Sequence, residues 1–532
     1  MYKNERRRGK TRLQSRLEDV ENLYRDSIGS RPVSSSLDEN IVLLDGIFKG
    51  CSDFVKRHVK LPGNGVRCLV AYIDSLINED IVNNSLLKSL MSEETADTGR
   101  EGSDGEDLFT WLMDSLVYID DAGKTGTMCA AVEKIMTGGS LLFVDGVDTA
   151  LFFNMREWKG RTVGIGTIER VVMGPQDAFV EDISLNLSLL RNRLRTPDLK
   201  TEKLRIGRLS ATPVIISYIR GIANDGIVDE MRKRLERIDI DLIVDSSYID
   251  RLITDNPVSP FPQIISTERP DKTVANLAEG RIAVFVEGAS DVLIAPVTLS
   301  DFLSSAEDHY NLYYYASFFR ILRYFAFIFA LTGPAFYIAI TTFHQEMVPL
   351  PLLVTIARSR AEMPFPAIVE ALFMEVTFEL LREAGIRLPQ PVGPAISIVG
   401  GLVIGQGVVQ AGIVSQTVVI VVAITGIASF ALPAFKFAVS VRVLRFPIML
   451  LAAFLGMYGI IMGLLVLLTH LVSIRSFGVN YVAPFAPLSL RDLKDTVIKA
   501  PLWSVTTRPS FLHTGNRVRM KRGMMPKPEK QE

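Results

Sequence analysis

The sequence predicts a soluble α/β region of two subdomains followed by an all-α membrane domain. Before about residue 308 the apolar runs are short and alternate between strand-like and helix-like periods. From about Phe318 they lengthen until they can cross a bilayer. Inside this apolar third lies one charged stretch, 366–388, bounded by Pro366 and Pro389 and bearing Glu370, Glu375, Glu379, Arg382 and Glu383. Carboxylates are costly in lipid, so they face water, a partner or a pathway.

Residues 1–36 are charged and then Ser/Pro-rich, and read as a disordered basic arm. The first soluble subdomain is expected over 37–170. Its first helix covers Leu37–Phe48, with Asp38 and Glu39 in the first turn. Residues 92–107 are acidic and Gly/Ser-bearing, which is loop chemistry. Two apolar runs, 140–144 and 149–153, flank Asp145-Gly146 and predict a hairpin.

The second subdomain is expected over 171–308. Residues 183–194 and 225–238 have helical periodicity, and 214–219 is strand-like. Residues 282–286 and 291–295 read as paired strands joined through Glu287-Gly288. Such alternation argues for sheets covered by helices.

The membrane domain is expected over 309–474, with spans at 321–343, 394–411, 413–435 and 446–472. Gly333-Pro334 predicts a kink in the first. The second is Gly-rich: Gly400, Gly401, Gly405 and Gly407 would let another helix approach closely. Helix 366–388 is interfacial, re-entrant or pore-lining. Four crossings keep the basic tail, 475–532, on the side of the soluble region, and a fifth through 366–388 would move it across.

Composition narrows the function. A chain of 532 residues needs at least three structural units. A net charge of -1 gives no global pull toward nucleic acid. Three scattered cysteines fit a reducing compartment rather than a disulfide framework. With no apolar run after the basic N-terminus there is no signal peptide, so the soluble region is expected in the cytoplasm. Five dispersed histidines support no metal site, and no nucleophile motif or nucleotide loop is present. The chain does not read as an enzyme, and no cofactor is expected.

Three constellations remain. At 100° per residue Glu375, Glu379, Arg382 and Glu383 share a face, with Glu370 opposite. They form either a solvated amphipathic surface or, if copies assemble, acidic rings along a cation path. Four Glu against Arg382 and Arg387 leave a negative excess on the segment, and Gln406 adds a polar group near it. The glycines from Gly400 to Gly407 are candidates for helix packing. Pro260, Phe261 and Pro262, followed by Glu268, Arg269 and Asp271, form a dense punctuation cluster. It is either a rigid loop leading to a helix capped by Asp271, or a surface that couples the soluble and membrane parts.

As a set these segments resemble the A subunits of bacterial spore germinant receptors, the GerA family. The residues that carry the resemblance are Phe179-Val180-Glu181-Asp182, Ser259-Pro260-Phe261-Pro262-Gln263-Ile264, Glu268-Arg269-Pro270-Asp271, Pro364-Phe365-Pro366 with Glu370-Ala371-Leu372, Met374-Glu375-Val376-Thr377, Glu379 through Gly385, Arg387-Leu388-Pro389, Ile404-Gly405-Gln406 and Arg442 through Phe446. They span roughly 170–484. The resemblance implies the spore inner membrane, with the N-terminal domain on the core side. It also implies a transporter-like B subunit that binds the germinant, a lipoprotein C subunit, and A subunits that assemble into a germinant-gated cation channel. A spore paralogue that amplifies ion release, or a non-conducting scaffold, would carry a similar core.

Overall fold

The computed structural model describes residues 31–62, 65–91, 122–156, 164, 166, 168–361, 363–387, 401 and 405–526. The chain divides into two compact units. One comprises residues up to Thr254, Ile264–Pro296 and Trp503 onward; the other comprises Asp255–Gln263 and Val297–Leu502.

The first unit is α/β. Helix α1 (Leu37–Ile47) precedes strands β1 (Phe54–Lys60) and β2 (Arg67–Ile73), and β3 (Ala122–Thr125), α2 (Met128–Met136), β4 (Gly139–Val144) and β5 (Ala150–Asn154) follow. The strands pair antiparallel in the order β1-β2-β4-β5-β3. Strands β4 and β5 are the expected hairpin, and Gly146, with φ 90°, supplies the left-handed turn. Strand β4 is buried throughout, as befits a central strand covered on both faces.

A second set repeats this plan. Helix α3 (Ile183–Arg193), β6 (Leu199–Ile206), β7 (Thr212–Ile219), α4 (Asp225–Glu236), α5 (Ser246–Ile253), β8 (Ile265–Thr267), α6 (Pro270–Glu279), β9 (Ile282–Val286) and β10 (Val292–Ala295) follow one another. The sheet order is β6-β7-β9-β10-β8, the same sequence of positions as in the first sheet, and again a helix links the third strand to the fourth. Asp182, Asn224 and Asp245 cap α3, α4 and α5 by accepting backbone N–H groups of the first turn. Helix α6 departs from expectation. Pro270 stands at its first position after Arg269, so Asp271 is a first-turn acid rather than the cap.

The two sheets are stitched by residues 50–53. Ser52 N–H donates to Thr201 O at 2.8 Å, and Thr201 N–H to Gly50 O at 2.9 Å. Asp53 accepts Arg191 Nη2 at 2.8 Å, Arg191 Nε at 2.9 Å and Thr201 Oγ1 at 2.8 Å, all in the interior. Burial alone would raise the Asp53 pKa, but the Arg191 charge and these hydrogen bonds hold it below the usual carboxylate range.

Residues 31–36 and 475–526 differ from the expected arm and tail. Val33 is buried, and its N–H donates to Gly126 O, so the segment after residue 30 belongs to the fold. The acidic loop expected at 92–107 lies outside the described residues. Residues 475–502 belong to the helical unit and those from 503 to the α/β unit. There Arg508 Nε donates to Ala278 O at 2.7 Å, Gly515 N–H donates to Ile222 O, and Leu512 is buried.

The second unit is helical: α7 (Leu299–Leu303), α8 (Tyr313–Thr342), α9 (Leu350–Ala361), α10 (Ala367–Arg387), α11 (Gln416–Phe430) and α12 (Phe435–Ser473). Among the described residues α8 and α12 are long and apolar enough to cross a membrane, and α11 is a shorter apolar helix. The expected span 394–411 falls largely outside the described residues. Helix α8 remains helical through Gly333-Pro334.

A backbone break lies in α12. Gly456 has φ 61° and ψ -138°, and a Cβ on Gly463 would sit 3.1 Å from Leu451 Cδ1 and 3.6 Å from Ile448 Cγ1. Residues fifteen apart on a straight helix are about 22 Å apart. The 39-residue run therefore doubles back at Gly456 into two antiparallel arms.

Contacts within this unit define two ends. At the base, Leu299 N–H donates to Tyr481 O, Phe302 stacks on Phe437, and Phe261 faces His470. At the tip, Gly456 lies against Phe343 and His344. The chain enters and leaves the unit at its base.

Candidate functional site

Helix α10 runs from tip to base, and arginines supplied by other helices meet its carboxylates. Glu370, fully buried, accepts Ser415 N–H at 2.9 Å and lies 3.7 Å from Arg360 Nε. Five residues later, Glu375 is ion-paired with Arg445 of α12, and both are buried. Glu379 takes Arg382 of its own helix at 3.3 Å and Arg442 at 3.2 Å. Glu383 is exposed and pairs with Arg387 at 2.6 Å.

The spacing explains the zipper. Glu375 and Glu379 are one turn apart on α10, and Arg442 and Arg445 are one turn apart on α12. Two parallel Arg–Glu pairs therefore hold the helices in register.

Arg445 has a second duty. Pro334 has no N–H, so the carbonyl of Ala330, four residues earlier, loses its helical donor. Arg445 Nε donates to that carbonyl at 2.8 Å. Gly333-Pro334 thus leaves a freed carbonyl, satisfied by a guanidinium from another helix. Arg382 is fixed by Ser429 Oγ at 2.9 Å and by the Phe430 ring, 4.3 Å from its carbon centre.

Charge bookkeeping changes accordingly. The core of the cluster holds Arg382, Arg442 and Arg445 against Glu375 and Glu379, a surplus of one positive charge. The sequence alone put a negative excess on the segment because it counted only arginines within it. Glu375 Oε1, Arg445 Nη2, Arg442 Nε and Arg382 Nε are buried and have no hydrogen-bond partner among the described residues. Such atoms are where interior water or an ion is held.

The remaining candidates are dispersed. Gln406 is exposed at the described end of the Gly-rich segment, and Gly400 lies outside the described residues. A Cβ at Gly401 or Gly407 meets nothing within 4 Å, and one at Gly405 meets only Val419 Cγ1 at 3.9 Å. Within one chain these glycines make no close helix contact. The tight glycines are Gly426, which the sequence did not single out, and Gly333, read there only as part of a kink. A Cβ on Gly426 would lie 2.6 Å from the Phe378 ring, and one on Gly333 3.0 Å from Thr425 Oγ1. These two positions let α11 seat against α10 and α8. A Gly or Ser recurring at helical spacing in an apolar run was the available signal.

The punctuation cluster is split between the units. Pro260, Phe261 and Pro262 belong to the helical unit, although the chain on both sides belongs to the α/β unit. The Pro260 carbonyl accepts Ser440 Oγ, and the Pro262 carbonyl accepts Tyr481 Oη at 2.9 Å. Phe261 packs with Phe437 and His470. Glu268 and Arg269 instead clasp residues of the α/β unit. Glu268 Oε1 accepts the N–H groups of Ile168 and Glu169, and Arg269 donates to Asp271 and to Pro175 O.

Comparison with known proteins places this architecture. The chain is 40% identical over 501 residues to spore germination protein KA of Bacillus subtilis (strain 168), covering 94% of this chain and 91% of that protein. It is 38% identical to spore germination protein GerLA of Bacillus cereus over 87% of this chain and 93% of the relative. A crystal structure of the N-terminal domain of the A subunit of the Bacillus megaterium spore germinant receptor GerK3 is 35% identical, with a TM-score of 0.40, covering 50% of this chain and 96% of that domain. Residues 43–511 match the family described as Bacillus/Clostridium GerA spore germination protein, and the chain belongs to that family.

Proposed function

We propose that the chain is the A subunit of a nutrient germinant receptor in bacterial spores, and that copies of it assemble into a germinant-gated cation channel of the inner spore membrane. The observation that supports a membrane pathway is the charge cluster of buried Glu375–Arg445 and part-buried Arg442–Glu379, set among helices whose outer faces are apolar, such as Phe454 at 77% and Tyr458 at 62% exposure. Chain entry and exit at the base favour an even number of crossings, with the α/β unit on the core side. Partners of the kind implied by the resemblance, a transporter-like B subunit and a lipoprotein C subunit, complete this reading.

The four carboxylates divide by exposure. Glu370 and Glu375 are buried against arginines and hold helices together. Glu379 and Glu383 reach solvent, so they and Gln406 are the groups suited to line a water-filled axis. The test is ion flux through full-length protein reconstituted in vesicles, with and without its partner subunits and germinant. Glu383→Gln should lower potassium flux several-fold at unchanged protein level, and Glu383→Lys more. Normal flux in Glu383→Lys would remove that residue from the path.

A second reading is a non-conducting scaffold. One observation favours it: each of the four carboxylates has an arginine partner in its own chain. Absence of flux in every reconstituted combination, with intact germination in cells, would support it.

A further inference from the structure

Helix α9 is poorly covered for an apolar helix: none of its residues is buried, and Leu350, Leu352 and Val354 are exposed at 71%, 53% and 42%. Between it and the tip end of α8 lies a cavity of about 310 Å³. Its apolar walls include Ile340, Val348, Leu353, Ile356 and Ala357, and Thr341, Gln345 and Arg360 are its polar members. The Arg360 side chain makes no hydrogen bond among the described residues, and its Nε is buried. Its one ionic neighbour, Glu370 Oε1, lies 3.7 Å away, beyond hydrogen-bond reach, and is itself without a donor. Arg358, two residues away, is exposed.

We propose that this cavity binds one acyl chain of an anionic phospholipid, with the phosphate held by Arg360. The inference rests on the membrane placement argued above. The volume accepts roughly ten methylene groups, each about the size of a water molecule (~30 Å³). The walls are apolar apart from Thr341, whose hydroxyl already donates to Tyr337 O at 2.8 Å, whereas the guanidinium has free donors for a phosphate oxygen. An exposed apolar helix ending in two arginines has the composition of an interfacial helix, which puts the cavity at headgroup depth. A bound lipid would therefore lie beside the Arg360–Glu370 pair and, through Glu370, beside Ser415 at the start of α11.

The test uses the full-length protein purified in mild detergent and incubated with mixed micelles of phosphatidylglycerol or phosphatidylcholine, with retained lipid read by native mass spectrometry. The wild type should retain phosphatidylglycerol in preference to phosphatidylcholine. Leu353→Trp or Ala357→Trp, which fill the cavity, should abolish retention. Arg360→Gln should weaken it about tenfold, the size expected for one charged hydrogen bond, and Arg360→Lys should restore most of it. Elution volume and helical circular dichroism report folding of each variant. Equal retention by folded Leu353→Trp and wild type, no retention by the wild type, or retention of a free carboxylic acid instead of a phospholipid would overturn the proposal. Conductance does not enter the readout, so these results stand apart from the channel reading. A chain absent from the membrane fraction altogether would sink the membrane placement itself.

Discussion

Arg445 joins three helices through one side chain: it neutralises Glu375 on α10, donates to the Ala330 carbonyl that Pro334 leaves free on α8, and is itself rooted in α12. Breaking a buried pair leaves an uncompensated charge and costs about 3–5 kcal/mol, whereas replacing both partners with apolar groups is close to neutral. Arg445→Met should therefore lower the melting temperature of the purified protein sharply, and Arg445→Met with Glu375→Leu should recover most of it. If the double variant is no better than the single, the pair is not what holds the helices. In the α/β unit a second residue carries a pH signature. Asp74 is half-buried with Glu79 beside it, and burial and that neighbour push its pKa up to about 7. The native state then binds a proton that the unfolded chain, with an ordinary carboxylate pKa of about 3.9, releases. Stability from this group is present below about pH 4 and is lost as pH rises through 7. Asp74→Asn should raise denaturant resistance at pH 8 relative to wild type, with the gap closing toward pH 4. A gap that persists at pH 4 would mean that the effect is not titration.

At the scale of elements, local pattern made many of the helices and half of the strands of the two sheets legible, whereas β1, β2, β3, β6 and β8 went unread. The hairpin at Asp145-Gly146, strand β7 and the charged helix α10 could all be read from local residues. The partners of α10 could not. Arg442 and Arg445 are more than sixty residues away from their carboxylates, and nothing local records which helix comes to rest beside which. The reversal at Gly456 was equally hidden. In an apolar run a tight turn needs only a glycine, without the polar residues that mark turns in water. Glycines also separate contacts within a chain from contacts between chains. Gly426→Leu should clash with Phe378 and reduce folded protein outright, whereas Gly401→Leu has open space within the chain. We expect Gly401→Leu to leave folded monomer unchanged and to reduce the larger assembly seen by crosslinking or light scattering. If Gly401→Leu assembles normally, the Gly-rich face is not an interface between copies.

Across the whole molecule, the α/β unit is not contiguous in sequence. Its two sheets share one strand order with little to announce it in the residues, since a repeated topology constrains burial and length rather than identity. It is completed by residues from 503 onward, after the helical unit has intervened. Arg508 donates to the Ala278 carbonyl and to the carbonyls of Asn516 and Val518, Gly515 donates to Ile222 O, and Arg519 lies 3.6 Å from Glu279. Basic residues of this segment, which sequence alone read as a free tail, are in part bound to the end of α6. A soluble piece ending before Tyr310 has its own sheets and cores, so it should fold, but it leaves those acceptors open. Supplying residues 503–526 through a flexible linker should raise its melting temperature by about 3–6 °C, as expected when one to two kcal/mol is added to a domain of this size. Arg508→Ala in the fused segment should remove most of the gain, because that side chain ties the segment both to α6 and to itself. An unchanged melting temperature on fusion would mean that the segment adheres only when the helical unit is present, and that the α/β unit is thermodynamically complete without it.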